Sequence, residues 1–197
     1  MAKQTVNKYP VKKYPTVGVC GLDCGLCARY HTDGKSKCPG CCGTDFFEKH
    51  PSCGFVTCCV KQRGLETCAV CADWMECEKI YQLLEAAQLR DSFISYKPVT
   101  GNLDFIKKNG LEKFVQQETE KQKVLYQLIN NFDDGRAKLF YCTACQLIPS
   151  EEVIKVIKQV SNSLKADADI KEKAKIMRTN LSKAAEVLKI DLQLRTI

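Results

Sequence analysis

The chain has no apolar run approaching the roughly 18 residues that a membrane span needs, so a membrane-spanning helix is not expected. Its opening stretch, MAKQTVNKYPVKKYPTV, carries lysines but no apolar h-region, so a signal peptide is not expected and the cytoplasm is the expected location. There is no P-loop, no G-x-G-x-x-G and no G-x-S-x-G. No pair of acidic residues stands in a catalytic context, and no catalytic residue is assigned. Repeats of constant period and low-complexity tracts are absent as well. No block is strongly basic: the formal charge of +7 divides into +3 for residues 1–77, +1 for 78–146 and +3 for 147–197. The lysines at Lys3, Lys8, Lys12 and Lys13 read as a solvated terminus rather than a phosphate contact. A nucleic-acid partner is therefore weakly supported, while a protein partner stays open.

What the chain has in excess is cysteine. Hydrophobic residues at 45% and charged residues at 27% make it globular. Of 14 cysteines, 12 fall between Cys20 and Cys77. Crowded thiols have three explanations: a disulfide framework, a metal site or redox chemistry. A chain without an export signal keeps its thiols reduced, which favours metal. The cysteines form four groups: Cys20, Cys24 and Cys27; Cys38, Cys41 and Cys42; Cys53, Cys58 and Cys59; Cys68, Cys71 and Cys77. Three of these contain C-x2-C, a spacing that lets two sulfurs face one ion across a tight turn while the following backbone N–H groups point back at sulfur. In CPGCCG, Pro39 fixes the approach, and Gly40 and Gly43 free the backbone. The ligand type suits tetrahedral zinc or an iron–sulfur cluster. The spacing C-x3-C-x2-C is also that of radical SAM enzymes, but 197 residues with a helical second half do not supply the barrel those enzymes use. Four thiolates around one zinc ion carry 2−, so bound metal would bring the first region close to neutral.

The second cysteines of the adjacent pairs, Cys42 and Cys59, read as accessory or as small buried hydrophobes. Cys142 and Cys145, in FYCTACQL, read as buried positions of a helix. His31 and His50 are expected at the surface, and Trp74 is expected to shield the metal site.

Along the chain, residues 1–16 read as an irregular basic arm and 17–77 as a cysteine-rich module with little regular structure. That module is too poor in apolar residues to bury a large core, so metal would staple it. Residues 78–197 read as a mainly helical region. EKIYQLLEAAQL predicts a helix, SYKPVTGN (95–102) a turn, and LDFIKKNG a short helix stopped by Gly110. Leu111 to Phe132 fits a longer helix with a break near Glu118 to Lys123. Ser150 is the expected N-cap of a helix carrying Val153, Val156 and Val160. Asp169, with Glu172 three residues on, opens a last helix whose stripe of Ile170, Ala174, Met177, Leu181, Ala184 and Leu188 packs against the preceding one. The alternation in IDLQLRTI (190–197) predicts a short C-terminal strand.

The run CGLDCGLC, CPGC (38–41), CGFVTC (53–58) and CAVCADWMEC (68–77), followed by EKIYQLL, resembles a family of cysteine-rich bacterial and archaeal proteins, a domain of unknown function. The order and spacing agree over residues 20–84, and GNLDFIKKNGLEKF is also similar. WMEC stands where an FPC-like ending is usual, but it keeps the thiol. The resemblance implies metal binding through ten cysteines: Cys20, Cys24, Cys27, Cys38, Cys41, Cys53, Cys58, Cys68, Cys71 and Cys77. It implies no reaction. Three functional readings follow. The first is a zinc-stapled module, holding two or more ions, that presents a helical surface to a partner. The second is a protein of [4Fe-4S] type for electron transfer or redox sensing. The third is a thiol-rich metal store or metallochaperone.

Overall fold

The computed structural model of the chain describes residues 10–50, 52–165 and 167–195. Among the described residues the regular structure is helical throughout, with no strand. A four-residue helix, α1 (Phe46–Lys49), and a π-helix (Val56–Gln62) stand in the cysteine-rich stretch, between short 3-10 turns at Cys24–Leu26, Gly34–Ser36, Cys68–Val70 and Trp74–Glu76. The longer helices follow: α2 (Glu78–Leu89), α3 (Val99–Asn109), α4 (Leu111–Phe132), α5 (Lys138–Leu147), α6 (Ser150–Ser163) and α7 (Ile170–Val187). None is long and apolar enough to cross a membrane.

Several boundaries differ from the sequence reading for local reasons. Helix α3 begins inside the predicted turn, because Pro98 suits the start of a helix and the Asn102 side chain is occupied elsewhere, donating to Asp23 and to the Gly21 carbonyl. Gly110, at φ +91°, both ends α3 and opens α4, a conformation that favours glycine. Helix α4 runs unbroken through Glu118 to Lys123: Glu118, only 1% exposed, pairs with Lys121 at 2.8 Å and faces Asp23. Pro149, not Ser150, occupies the N-cap position of α6. Asp169 does cap α7, accepting from the Glu172 N–H at 2.8 Å.

The predicted C-terminal strand does not form in residues 190–195. That segment is pinned at its end: Arg195 grips Asp91 through Nε and Nη2 at 2.9 and 2.8 Å, and Asp91 N–H donates to the Arg195 carbonyl at 2.8 Å. Without a neighbouring strand, its alternating pattern has no ladder to join. Residues 196–197 lie outside the described residues, as do Lys3 and Lys8.

Two hydrophobic cores result. One joins Val17, Val19, Cys42, Val56, Cys59 and Val60 to Ile80 of α2, Val99, Leu103 and Ile106 of α3, and Phe114 of α4. The other gathers Leu125, Leu128, Phe132, Tyr141, Val153, Val156, Val160, Met177 and Leu181 from α4 to α7, with Leu26 of the first cysteine turn packed into it. Thus α6 and α7 find their apolar partners within the chain, as the stripe on α7 predicts, although its ends at Ile170 and Leu188 are exposed.

Candidate metal centre

Short turns bring the cysteines together in two neighbouring sets. The first combines Cys20, Cys24, Cys27, Cys38, Cys41 and Cys53. Burial pushes the Cys20 thiol up to about 12, and the nearby Cys41 and Cys53 add to this. Cys24 is raised by burial, then by Cys41, Cys20 and Cys27; Cys27 and Cys38 are raised by burial and by their neighbours Cys38 and Cys41 respectively.

Backbone amides oppose these shifts. The N–H of Leu22 is directed at Cys20 sulfur, those of Arg29 and Tyr30 at Cys27, and that of Gly40 at Cys38, while Val19 N–H lies 3.4 Å from Cys41 Sγ. Each such dipole favours thiolate over thiol. At Cys20, Cys27 and Cys38 the amides come from the second and third residues after the cysteine because the chain turns sharply there, whereas Cys41 takes its amide from Val19 on a distant stretch. At Gly40 the turn needs φ +83°, and a Cβ would strike the Pro15 carbonyl oxygen at 2.5 Å.

The second set lines a cavity of about 220 Å³, walled by Phe55, Cys58, Cys59, Cys68, Cys71, Trp74, Cys77 and Ile80, with Arg63, Asp73, Glu76 and Lys79 around it. The π-helix carries Cys58 and Cys59, and the 3-10 turn at Cys68–Val70 is capped by the Thr67 hydroxyl accepting from Ala69 N–H. Arg63 Nη1 lies 3.2 Å from Cys71 Sγ and 2.6 Å from Asp73 Oδ2. Trp74 forms part of the wall; its indole Nε1 is buried without a partner, and Lys107 Nζ stands 5.1 Å from its ring centroid.

All 14 cysteines are free. Two pairs of thiols shift one another. Cys42 lowers Cys41 while Cys42 itself is raised, and Cys68 lowers Cys59 while Cys68 itself is raised. No three His, Cys, Asp or Glu side chains among the described residues are gathered so as to hold one ion. The donor chemistry fits a thiophilic metal through two features: sulfurs from four sequence groups stand in adjoining places, and amides point at several of them.

Neither histidine is a free surface side chain. His50 stacks on Phe46 and places Nε2 3.1 Å from Cys38 Sγ. His31 binds the Gly25 carbonyl through Nε2 at 2.7 Å and meets the Tyr126 ring edge-on. Cys142 and Cys145 are each 2% exposed within the helical core, and burial pushes Cys145 up to about 12. This is the buried helical placement their apolar surroundings suggested.

Three residues near the sulfurs carried little or no signal in the sequence. Lys12 is only 4% exposed; its Nζ donates to the Val17 carbonyl at 2.6 Å, and its charge favours the thiolates of Cys24, Cys41 and Cys59. It is not part of a solvated tail. Arg63 is indistinguishable by sequence from any surface cation. Asp23 is fully buried and accepts from Asn102 Nδ2 at 2.8 Å and Gln146 Nε2 at 2.9 Å, tying the first cysteine turn to α3 and α5. Its place between two cysteines in CGLDC was the only hint. No family model, curated protein or solved structure matches the chain.

Proposed function

We propose that the protein binds metal through its clustered thiols, with zinc holding the cysteine-rich residues 17–77 in shape and the helical half offering a surface to a protein partner in the cytoplasm. The ligands are drawn from Cys20, Cys24, Cys27, Cys38, Cys41, Cys53, Cys58, Cys68, Cys71 and Cys77. The resemblance of residues 20–84 to a family of cysteine-rich proteins agrees with that ligand set. The observation that carries the reading is the orientation of backbone amides toward sulfur at Cys20, Cys27, Cys38 and Cys41. A buried thiol with no metal to bind gains little from such dipoles, whereas a metal thiolate is stabilised by them. The six cysteines of the first set are half-buried, with Cys38 buried, and would form a structural site of the kind that couples metal binding to folding.

The test is metal content together with a visible spectrum on protein purified without oxygen. Zinc bound in stoichiometric amount, with unfolding on chelation, agrees with the proposal. A chain that carries no metal and keeps its fold overturns it. A store or metallochaperone differs in a measurable way, being substoichiometrically loaded as isolated and folded when empty.

A further inference from the structure

The two thiol sets differ in shape, and the difference bears on what each holds. We infer that the cavity bounded by Cys58, Cys59, Cys68, Cys71 and Cys77 receives a polynuclear iron–sulfur cluster, distinct from the zinc assigned to the first set. This rests on the metal-binding reading above and concerns which metal centre occupies one part of it.

The argument begins with volume. A single zinc ion sits at the centre of four sulfurs with bonds of about 2.3 Å, which leaves no open space between them. Here five cysteines are among the residues lining a partly open space of about 220 Å³, room for roughly seven waters at their liquid volume of ~30 Å³ each. Sulfurs around a space suit a polynuclear centre better than a point ion. The number of thiols then separates two polynuclear classes. Two four-coordinate zinc ions sharing only protein thiolates need more bridging sulfur than five cysteines comfortably provide. An iron–sulfur cluster brings its own bridging sulfide and needs about four cysteines, leaving one to spare.

The walls fit the same occupant. Phe55, Trp74 and Ile80 make the cavity apolar, which limits water access to a cluster. The buried, unpartnered indole N–H of Trp74 is a donor available to a cluster sulfide or a cysteine sulfur. Arg63, already 3.2 Å from Cys71 Sγ, places a positive charge beside a centre whose ligands are anionic. The charged ring of Arg63, Asp73, Glu76 and Lys79 marks the exposed side through which iron and sulfide would be delivered.

The experiment reconstitutes the full-length chain anaerobically with ferric iron, sulfide and a dithiol that supplies the electrons for the ferrous part of the cluster, in the presence of zinc. Iron, acid-labile sulfide and zinc per chain are then measured. Wild type should hold iron and sulfide in equal amounts together with zinc, with a broad visible absorption. Cys71→Ser and Cys77→Ser should lose iron and sulfide together and keep zinc. Because these variants could misfold, loaded wild type is also alkylated under native conditions. Cys58, Cys71 and Cys77 should be protected while the colour persists and become reactive when it is bleached. Zinc at both sets with no sulfide overturns this inference but leaves the metal-binding proposal standing. So does loss of iron and sulfide in Cys24→Ser but not in Cys71→Ser or Cys77→Ser. Absence of any bound metal removes both.

Discussion

The two cores of this protein are built from different materials. In the helical half, Leu125, Leu128, Phe132, Tyr141, Met177 and Leu181 project from helices of 10 to 22 residues, and burial of large side chains offsets the entropy of ordering them. Around the cysteines most of the buried side chains are small: four valines, three cysteines and an alanine beside the ring of Phe46, on short turns, the four-residue α1 and one π-helix, leaning on α2, α3 and the start of α4. Such turns bury less large hydrocarbon than the helical half does. On the proposed reading, thiols placed at the same turns let metal–sulfur bonds supply what hydrocarbon does not. Helix α4 spans both cores, with Phe114 in one and Val124 to Phe132 in the other.

This contrast is sharpest under metal removal, where the largest effect is expected. The sole tryptophan, Trp74, lies in the cysteine-rich core, so its fluorescence reports that region, while far-UV circular dichroism is dominated by α2 to α7. Chelation should expose Trp74 and shift its emission to the red while most helical signal survives; structural zinc contributes on the order of 10 kcal/mol to such modules. Cys24→Ser should reproduce that state. If it keeps its metal content and melting temperature, Cys24 is not a ligand. A single transition seen equally by both probes would mean that the cores unfold as one unit and that the contrast drawn here is too sharp.

The opposite disturbance is Leu125→Ala in α4, at a fully buried site of the helical core. It should cost about 2–5 kcal/mol, read as a lower urea midpoint by circular dichroism, with zinc content unchanged. Loss of zinc in this variant would show that the helical core props up the thiol sets rather than standing beside them.

The sequence was most legible where hydrophobic periodicity sets structure. The stripe Ala174, Met177, Leu181 located the buried face of α7, Asp169 located its cap, and Gly110 located the joint between α3 and α4. It misled where a tertiary partner satisfied a polar group: Glu118 looked like a helix break because its partners, Asp23 and Lys121, were not visible as such. IDLQLRTI looked like a strand because alternation does not say whether a neighbouring edge exists. The cysteine grouping was legible from spacing alone. The cavity was not, since it depends on how the π-helix meets the turns at 68–77.

Glu118 allows a smaller effect to be read at the seam. Burial first, and then the charge of Asp23, raises its carboxyl to about 8 against Lys121. A raised carboxyl favours the protonated folded state. Below the ordinary value of 4.5 both folded and unfolded chains hold the proton and nothing is lost. As pH rises from there to about 8 the unfolded chain gains charge freely while the folded one resists, so stability falls and then levels off. Glu118→Gln should remove that slope and stabilise the zinc-loaded protein at pH 9 by on the order of 3 kcal/mol, with little change at pH 5. Equal urea midpoints for the two proteins at pH 9 would mean that Lys121 fully compensates the buried charge.

Lys12 makes the smallest and most discriminating prediction, because it is the one buried cation set among sulfurs rather than carboxylates in the described structure near Cys41. Its Nζ donates to the Val17 carbonyl, its backbone N–H donates to the Cys42 carbonyl at 3.1 Å, and its charge favours thiolate at Cys24, Cys41 and Cys59. A buried ammonium is costly unless anionic charge faces it, and on the proposed reading metal-bound thiolates supply that charge. Lys12→Met keeps much of the side chain's length and removes the charge. Zinc affinity, measured by competition with a chromophoric chelator, should fall about 10–100-fold, as expected when a group supporting the ligands is lost. The metal-free variant should be no less stable than metal-free wild type, since an uncompensated buried charge has been removed along with the hydrogen bond it made. Lower affinity with unchanged apo stability identifies Lys12 as the counter-charge of the thiol set. Lower stability with unchanged affinity would make it a strut that merely anchors the N-terminal arm, and the sulfurs would then carry their charge without it.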